Sequence, residues 1–241
     1  LQFSFRFYFP LIHSIGYAFA RICDRGIDFG TRVLIKKIKM NDQMIFVRIA
    51  TINDIKYVDE IIKETEASAI DRGTGISKRT PESIAQKMRD GKAVIALTST
   101  GKWVGFSYFD CWDGGRFVSN SGLIVAQEFR HSGVARSIKD RVFRISRRSF
   151  PKAKIFSITS GTAVMKMNSQ IGFQPVAFSE ITKDNDFWEG CKSCPNYDIL
   201  ERKHKCNCLC TAMLFDPLLS EDHSILPGHD LAQRFHSYQL K

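Results

Sequence analysis

The 241-residue chain has no internal repeat and no low-complexity tract, and 7 prolines and 16 glycines are too few for a collagen-like or Pro/Gly-rich disordered polymer. It also lacks an unbroken apolar run of membrane-spanning length. The stretch from Phe7 to Ala20 is apolar, but Pro10 and His13 interrupt it, Arg6 and Arg21 flank it, and it falls short of the roughly 20 residues a span needs. No small-residue cleavage site follows, so no secretory signal is read there. A cytoplasmic location without a disulfide framework is the expectation. Acidic residues are in deficit: 25 Asp+Glu face 35 Lys+Arg, a formal net charge of +10. That sign admits nucleic acid, a membrane surface or an anionic small molecule as partner. What is present is ordinary globular composition, 44% hydrophobic, in a length able to bury a sizeable core.

The charge is unevenly placed. Residues 1–39 carry seven basic residues against Asp24 and Asp28, about half of the net charge. The chain starts with Leu, while Met40 and Met44 lie just ahead of the first patterned strand. Residues 1–39 therefore read as a basic extension upstream of the natural start, with a targeting segment as the alternative. Residues 40–216 read as the folded unit and 217–241, which include Pro227 and Gly228, as an unordered tail.

Within 40–216, Ile45, Val47 and Ile49 alternate as in a half-buried strand, and Asn53 is placed to cap a helix whose apolar face is Ile55, Val58, Ile61 and Ile62. Thr80-Pro81-Glu82 combines a cap, a first-position proline and an acid at the positive dipole end, so it starts a second helix that stops at Gly91. Ala93–Leu97, Trp103–Trp112 and Phe117–Val125 read as strands, the last two joined through the hairpin signal Gly114-Gly115. Val134, Ile138, Val142 and Ile145 define a helix that Pro151 closes. A strand (Ala153–Thr159), a short helical stretch to Gly172, and strands over Gln174–Ile181 and Cys208–Phe215 complete a mixed α/β domain.

The most informative stretch is Leu123-Ile124-Val125 running through Arg130-His131-Ser132-Gly133-Val134-Ala135-Arg136. A strand enters a loop of small residues and a helix follows. Small residues let backbone approach an anion, and the free N–H groups of a helix start point at it. Arg130 and Arg136 can add charge-assisted contacts. An ordinary tight strand–helix turn is the bland alternative for the hexapeptide alone.

This arrangement resembles the acetyl-CoA-binding motif of the GNAT superfamily of N-acetyltransferases, Arg/Gln-x-x-Gly-x-Gly/Ala. Val47-Arg48-Ile49-Ala50-Thr51 with Asp54 resembles that family's first strand and the start of its first helix, and Ile171-Gly172-Phe173 the Gly-Phe before its sixth strand. The resemblance implies a GNAT-like mixed, centrally splayed sheet of six to seven strands with flanking helices. It further implies that backbone groups of Leu123, Ile124 and Val125 pair with the pantetheine arm of acetyl-CoA or another short acyl-CoA. The amides of Arg130 through Ala135, joined by Arg136, would hold its pyrophosphate. The reaction would be direct acyl transfer from thioester to amine. Two positions depart from the family: Gln127 stands where proline is common, and Asn168 where a tyrosine usually protonates the leaving thiolate. Asn cannot be a general acid. Tyr108 or Cys111 could substitute, or the thiolate leaves unaided. Glu128, beside the loop, or a relayed water is the candidate base.

Arg72, Lys78 and Arg79 lie between the first two helices, on what the resemblance makes the acceptor side, and suit a carboxylate-bearing acceptor. Arg72-Gly-Thr-Gly-Ile-Ser-Lys-Arg-Thr-Pro81, Asn120-Ser-Gly-Leu-Ile-Val, Ala163-Val-Met-Lys-Met-Asn-Ser and Cys208-Leu-Cys-Thr-Ala-Met-Leu together resemble a bacterial subgroup tied to arginine biosynthesis. By that resemblance an acetyl or succinyl group would go to glutamate. A small acidic amine is then the partner expected, rather than nucleic acid or a membrane.

Five of seven cysteines fall at Cys191, Cys194, Cys206, Cys208 and Cys210. Cys191, Cys194, Cys208 and Cys210 could complete a tetrahedral structural zinc site of four thiolates. Buried free thiols are the competing reading, and a redox disulfide is the third. Two other functions stay open at this point. One is an acyl-CoA sensor without turnover, which Asn168 keeps alive. The other is a zinc-containing nucleic-acid-binding module using the basic helix from Gly133 to Arg148.

Overall fold

The computed structural model describes residues 36–40 and 43–221. Residues 1–35 and 222–241, most of the expected extension and tail, lie outside them. The N-terminal half begins with strands β1 (Lys36–Met40) and β2 (Gln43–Ile49), a 3-10 turn over Ile52–Tyr57, and helices α1 (Val58–Asp71) and α2 (Pro81–Arg89). Strands β3 (Ala93–Thr98), β4 (Trp103–Trp112) and β5 (Phe117–Val125) follow. Helix α3 (Val134–Ser149) leads into β6 (Lys154–Thr159), α4 (Thr162–Gln170) and β7 (Gln174–Val176). The last part holds short helices α5 (Asn185–Glu189) and α6 (Tyr197–Arg202), strand β8 (Thr211–Phe215) and a turn of helix, α7 (Pro217–Glu221).

The eight strands form one sheet in the order β1-β2-β3-β4-β5-β6-β8-β7. All neighbours are antiparallel except β5 and β6, which the crossover through α3 makes parallel. Residues Ala93–Ala96 and Trp103–Ser107 are buried without alternation, so the sheet centre is covered on both faces. On α3, Val134, Ile138 and Val142 are fully buried at helical spacing and pack into the main core with Phe106 and Ile155.

Several boundaries differ from the sequence reading. Lys36–Met40 is an edge strand paired to β2, so the sheet begins ahead of residue 40. The start of the first helical stretch is organised by Thr51 rather than Asn53. The Asp54 carboxylate accepts the Thr51 amide at 2.7 Å and both Arg48 guanidinium nitrogens at 2.7 Å. β7 stops after three residues, and Pro175, which has no N–H to donate, sits in it as an edge strand tolerates. Beyond it the chain coils, because Glu180 accepts the Ala177 amide and Asp184 caps α5 through the Asp186 amide. β8 begins only at Thr211, so Cys206, Cys208 and Cys210 precede the strand instead of lining one face of it. Pro217–Glu221, read as the start of a tail, is helical.

Candidate functional site

The parallel ladder between β5 and β6 covers only Phe117–Ser119 against Lys154–Phe156, whereas β5 stays paired with β4 as far as Val125. From Asn120 onward the two middle strands splay and the β5 edge is open. Inside this stretch the β4–β5 register slips by one residue, and Gly122 sits at φ +65. A Cβ at Gly122 would stand 2.5 Å from the Tyr108 ring, so glycine there is required both by the bulge and by the ring lying on it.

β5 runs into a short 3-10 turn over Gln127–Phe129 and then the loop to α3. Gly133, at φ +80, turns the chain into the helix. Among the described residues, the amides of His131, Ser132 and Gly133 donate to nothing in the protein. The first amides of α3, at Val134, Ala135 and Arg136, have no helical partner. The loop is therefore a nest of free donors at a positive helix end, as an anion requires. Arg136 is exposed beside it. Arg130 is turned the other way: its guanidinium donates to Val125 O, Glu64 Oε1 (2.9 Å) and Ser68 Oγ (3.0 Å), bracing the loop against α1. Arg72 also donates to Ser68 Oγ and lies close enough to Arg130 to be acidified by it, after burial as the larger cause. Arg72 is thus behind the loop and does not line the acceptor cavity.

A cavity of about 370 Å³ opens beside the splay. Its floor is β4, β5 and β6, where Tyr108, Ser121 and Ile158 face inward; its rim is the loop from Gly75 to Arg79. Lys78 and Arg79 both line it and have no acidic partner among the described residues. Arg79 Nε donates to the Tyr108 hydroxyl at 3.0 Å, and its Nη1 to Ser77 O at 2.8 Å, which fixes the guanidinium above the bulge. The three candidate catalytic residues are dispersed. Tyr108 is in the cavity. Glu128 is exposed and ion-paired with Lys102 at 2.8 Å, outside it. Asn168 is fully buried, with Nδ2 against Met213 Sδ at 3.5 Å and Oδ1 unpartnered, and it does not line the cavity. Cys111 alternates with Tyr108 along β4 and faces the main core.

Cys191, Cys194, Cys208 and Cys210 all reach the cavity wall. The sequence signal was their density; its structural counterpart is a close approach to the cation loop, since Cys194 Sγ lies 2.8 Å from where a Gly75 Cβ would be. All four are free thiols, and among the described residues no group of three or more His, Cys, Asp or Glu is arranged to hold a metal ion. Hydrogen bonding from the Cys210 thiol and amide lowers the Cys208 thiol below the ordinary thiol range, and burial with neighbouring sulfurs pushes Cys191 up to about 11. Sequence reasoning missed the aromatic wall of Trp112, Phe187, Trp188 and Tyr197, and Asp110, which pairs with Lys87 at one end of the cavity. The β4 alternation Tyr108, Asp110, Trp112 was the available signal for part of it.

Part of the basic face of α3 is tied to the protein itself. Arg144 pairs with Asp140, and Arg147 donates to Pro151 O and lies over the Phe215 ring. No helix among the described residues is long and apolar enough to cross a membrane.

No protein-family model and no curated protein matches the chain by sequence. Solved structures do match. One is N-acetylglutamate synthase from Neisseria gonorrhoeae, complexed with coenzyme A and N-acetyl-glutamate. It is 13% identical at a TM-score of 0.52, over 71% of this chain and 35% of that one. The present chain thus spans about a third of that synthase's length. Another is a GNAT-family acetyltransferase from Listeria monocytogenes, 14% identical at a TM-score of 0.50, over 75% of this chain and 99% of that one. The splay, the loop and these matches agree, and the chain has the fold of the GNAT acetyltransferases.

Proposed function

We propose that the protein is an acyl-CoA-dependent N-acyltransferase whose acceptor is a small amine bearing a carboxylate. The observation that carries this reading is the alignment, on one strand, of an open β5 edge, a bulge at Gly122 and a loop of unpartnered amides ahead of α3, with an unneutralised Arg79 facing the same bulge. The open edge can pair with the pantetheine amides as a further strand would, and the loop can take the pyrophosphate. Those two anchors would place the thioester at the bulge, next to Tyr108.

Acyl transfer then needs an amine lone pair directed at the thioester carbonyl, and a fate for the thiolate that leaves. Arg79 can hold the acceptor carboxylate, with Lys78 for a second one. Glutamate, named by the sequence resemblance, would use both. Its amine gives its proton to cavity water, because Glu128 is turned to Lys102. The amine attacks, the C–S bond breaks as the tetrahedral intermediate collapses, and the nitrogen gives up its remaining extra proton to cavity water, which returns one to Tyr108 where that hydroxyl has protonated the sulfur. The departing sulfur takes a proton from Tyr108, whose hydroxyl is fixed by Arg79, or leaves as a thiolate of moderate basicity (free thiol pKa about 8.5). The donor is acetyl- or succinyl-CoA. The test is release of free CoA by the full chain from each donor, with and without glutamate. Glutamate-dependent release supports the reading, and release no faster than hydrolysis with either donor contradicts it.

A further inference from the structure

Aromatic side chains line a large part of the cavity wall, and neither an acetyl group nor glutamate carries a large apolar group to match them. The cavity's cationic groups are Lys78, Arg79 and Lys87, and the exposed Asp186 carboxylate lines it from the α5 side, next to Phe187. Lys78 and Arg79 form the cationic rim, while Lys87 and Asp110 neutralise each other. The opposite wall is aromatic. Phe187 sits at its centre, 5.3 Å from the Trp112 ring and 5.0 Å from those of Phe156 and Trp188, all edge to face. Tyr197 adjoins this wall, and Trp112, Phe187 and Tyr197 are each only half-buried. The wall is held in place by polar contacts behind it: Trp188 Nε1 donates to Thr182 O at 3.0 Å, and Asp184 accepts the Asp113 amide at 3.1 Å. It is thus a formed surface of the cavity. A carboxylate turned toward the Trp112 and Phe187 rings would lose water and share that side with the Asp186 carboxylate, whereas an apolar group would cover exposed rings.

We infer that the site takes a reactant with an apolar group, a ring or a branched chain, seated on Trp112, Phe187 and Tyr197, with a carboxylate at the Arg79 rim. Only the choice of reactant, acceptor or acyl donor, rests on the acyl-transfer reading. Binding is therefore measured first and without turnover, by tryptophan fluorescence of the full chain titrated with 3-phenylpropionate or with glutarate. The two probes share a carboxylate and a short chain and differ in ring against second carboxylate. The expected result is at least tenfold tighter binding of 3-phenylpropionate. Phe187→Leu should cut that affinity about fivefold while changing glutarate less than twofold, and Tyr197→Ala gives an independent check on a half-buried position. Equal or tighter binding of glutarate, or equal losses for both probes, overturns the inference. Turnover then assigns the source. A gain with phenylalanine or leucine in place of glutamate places the apolar group on the acceptor, and a gain with phenylacetyl- or isovaleryl-CoA places it on the donor. Best turnover with acetyl-CoA and glutamate overturns the inference. No turnover in any arm counts against the acyl-transfer reading instead, and the fluorescence comparison still decides this one.

Discussion

Arg79 and Lys139 show two opposite uses of a cation. Arg79 is held by Tyr108 and Ser77 O and keeps its charge for a ligand. Arg79→Gln should raise the acceptor KM tenfold or more, roughly 1.4 kcal/mol of binding, and leave CoA affinity unchanged. Steady-state kinetics with a CoA titration would separate the two. Lys139 is 3% exposed on α3, with its ammonium 5.0 Å from the Phe173 ring centre. Burial pulls it down to about 7, whereas an unfolded lysine titrates near 10.4. Between those values the unfolded chain keeps a proton that the folded chain has released. This group therefore makes stability rise with pH from about 7 to roughly 10.4, and its penalty is fully present below that window. Lys139→Met should stabilise the protein at neutral pH, on the order of 2–4 kcal/mol, and flatten that slope in urea melts taken from pH 6 to 10. A slope unchanged by the substitution would show that the amine is already paired or hydrated.

At the scale of the element, the turn after β2 depends on one carboxylate. Burial alone would raise the Asp54 pKa, but the Arg48 guanidinium, the Thr51 amide and the Thr51 hydroxyl outweigh it and hold it below the usual carboxylate range. Its contribution to stability is present above the unfolded value near 4 and is lost as pH falls through the lower folded value. Asp54→Asn leaves Arg48 half-buried without its partner and should cost about 1–3 kcal/mol, read as a lower urea midpoint at pH 7 and a smaller difference at pH 3. The elements with a clear period were legible in the sequence. Val134, Ile138 and Val142 fixed the face of α3, and Thr80-Pro81 the start of α2, where Thr80 Oγ1 does accept the Ser83 amide. The segment from Phe178 to Cys210 was not. Its helices are five and six residues long, too short for a period, and side-chain caps from Glu180 and Asp184 override the apparent strand pattern. The cysteines were visible as a cluster, but their place on a cavity wall follows from that coiled segment folding back on Gly75.

At the scale of the whole molecule, the splay is the feature on which everything else depends. Three paired residues between β5 and β6, then divergence, create both the open edge and the cavity beside it. Sequence showed the loop and the order of elements that frame this gap. It did not show the gap's aromatic side, because Trp112, Phe187 and Tyr197 come from separate elements joined only by the fold. The +10 charge that first suggested a polyanion has partial local explanations in the described residues: an anion-ready loop, a cationic rim, and Arg144 and Arg147 of α3 held by Asp140 and Pro151 O. The central claim is that acyl-CoA lies along β5 with its pyrophosphate on the loop before α3. Amide hydrogen exchange with and without CoA tests this most directly. The account predicts slowed exchange confined to the peptides spanning 120–125 and 131–136, with little change in β1 to β3. Protection absent from both peptides at saturating CoA would contradict it.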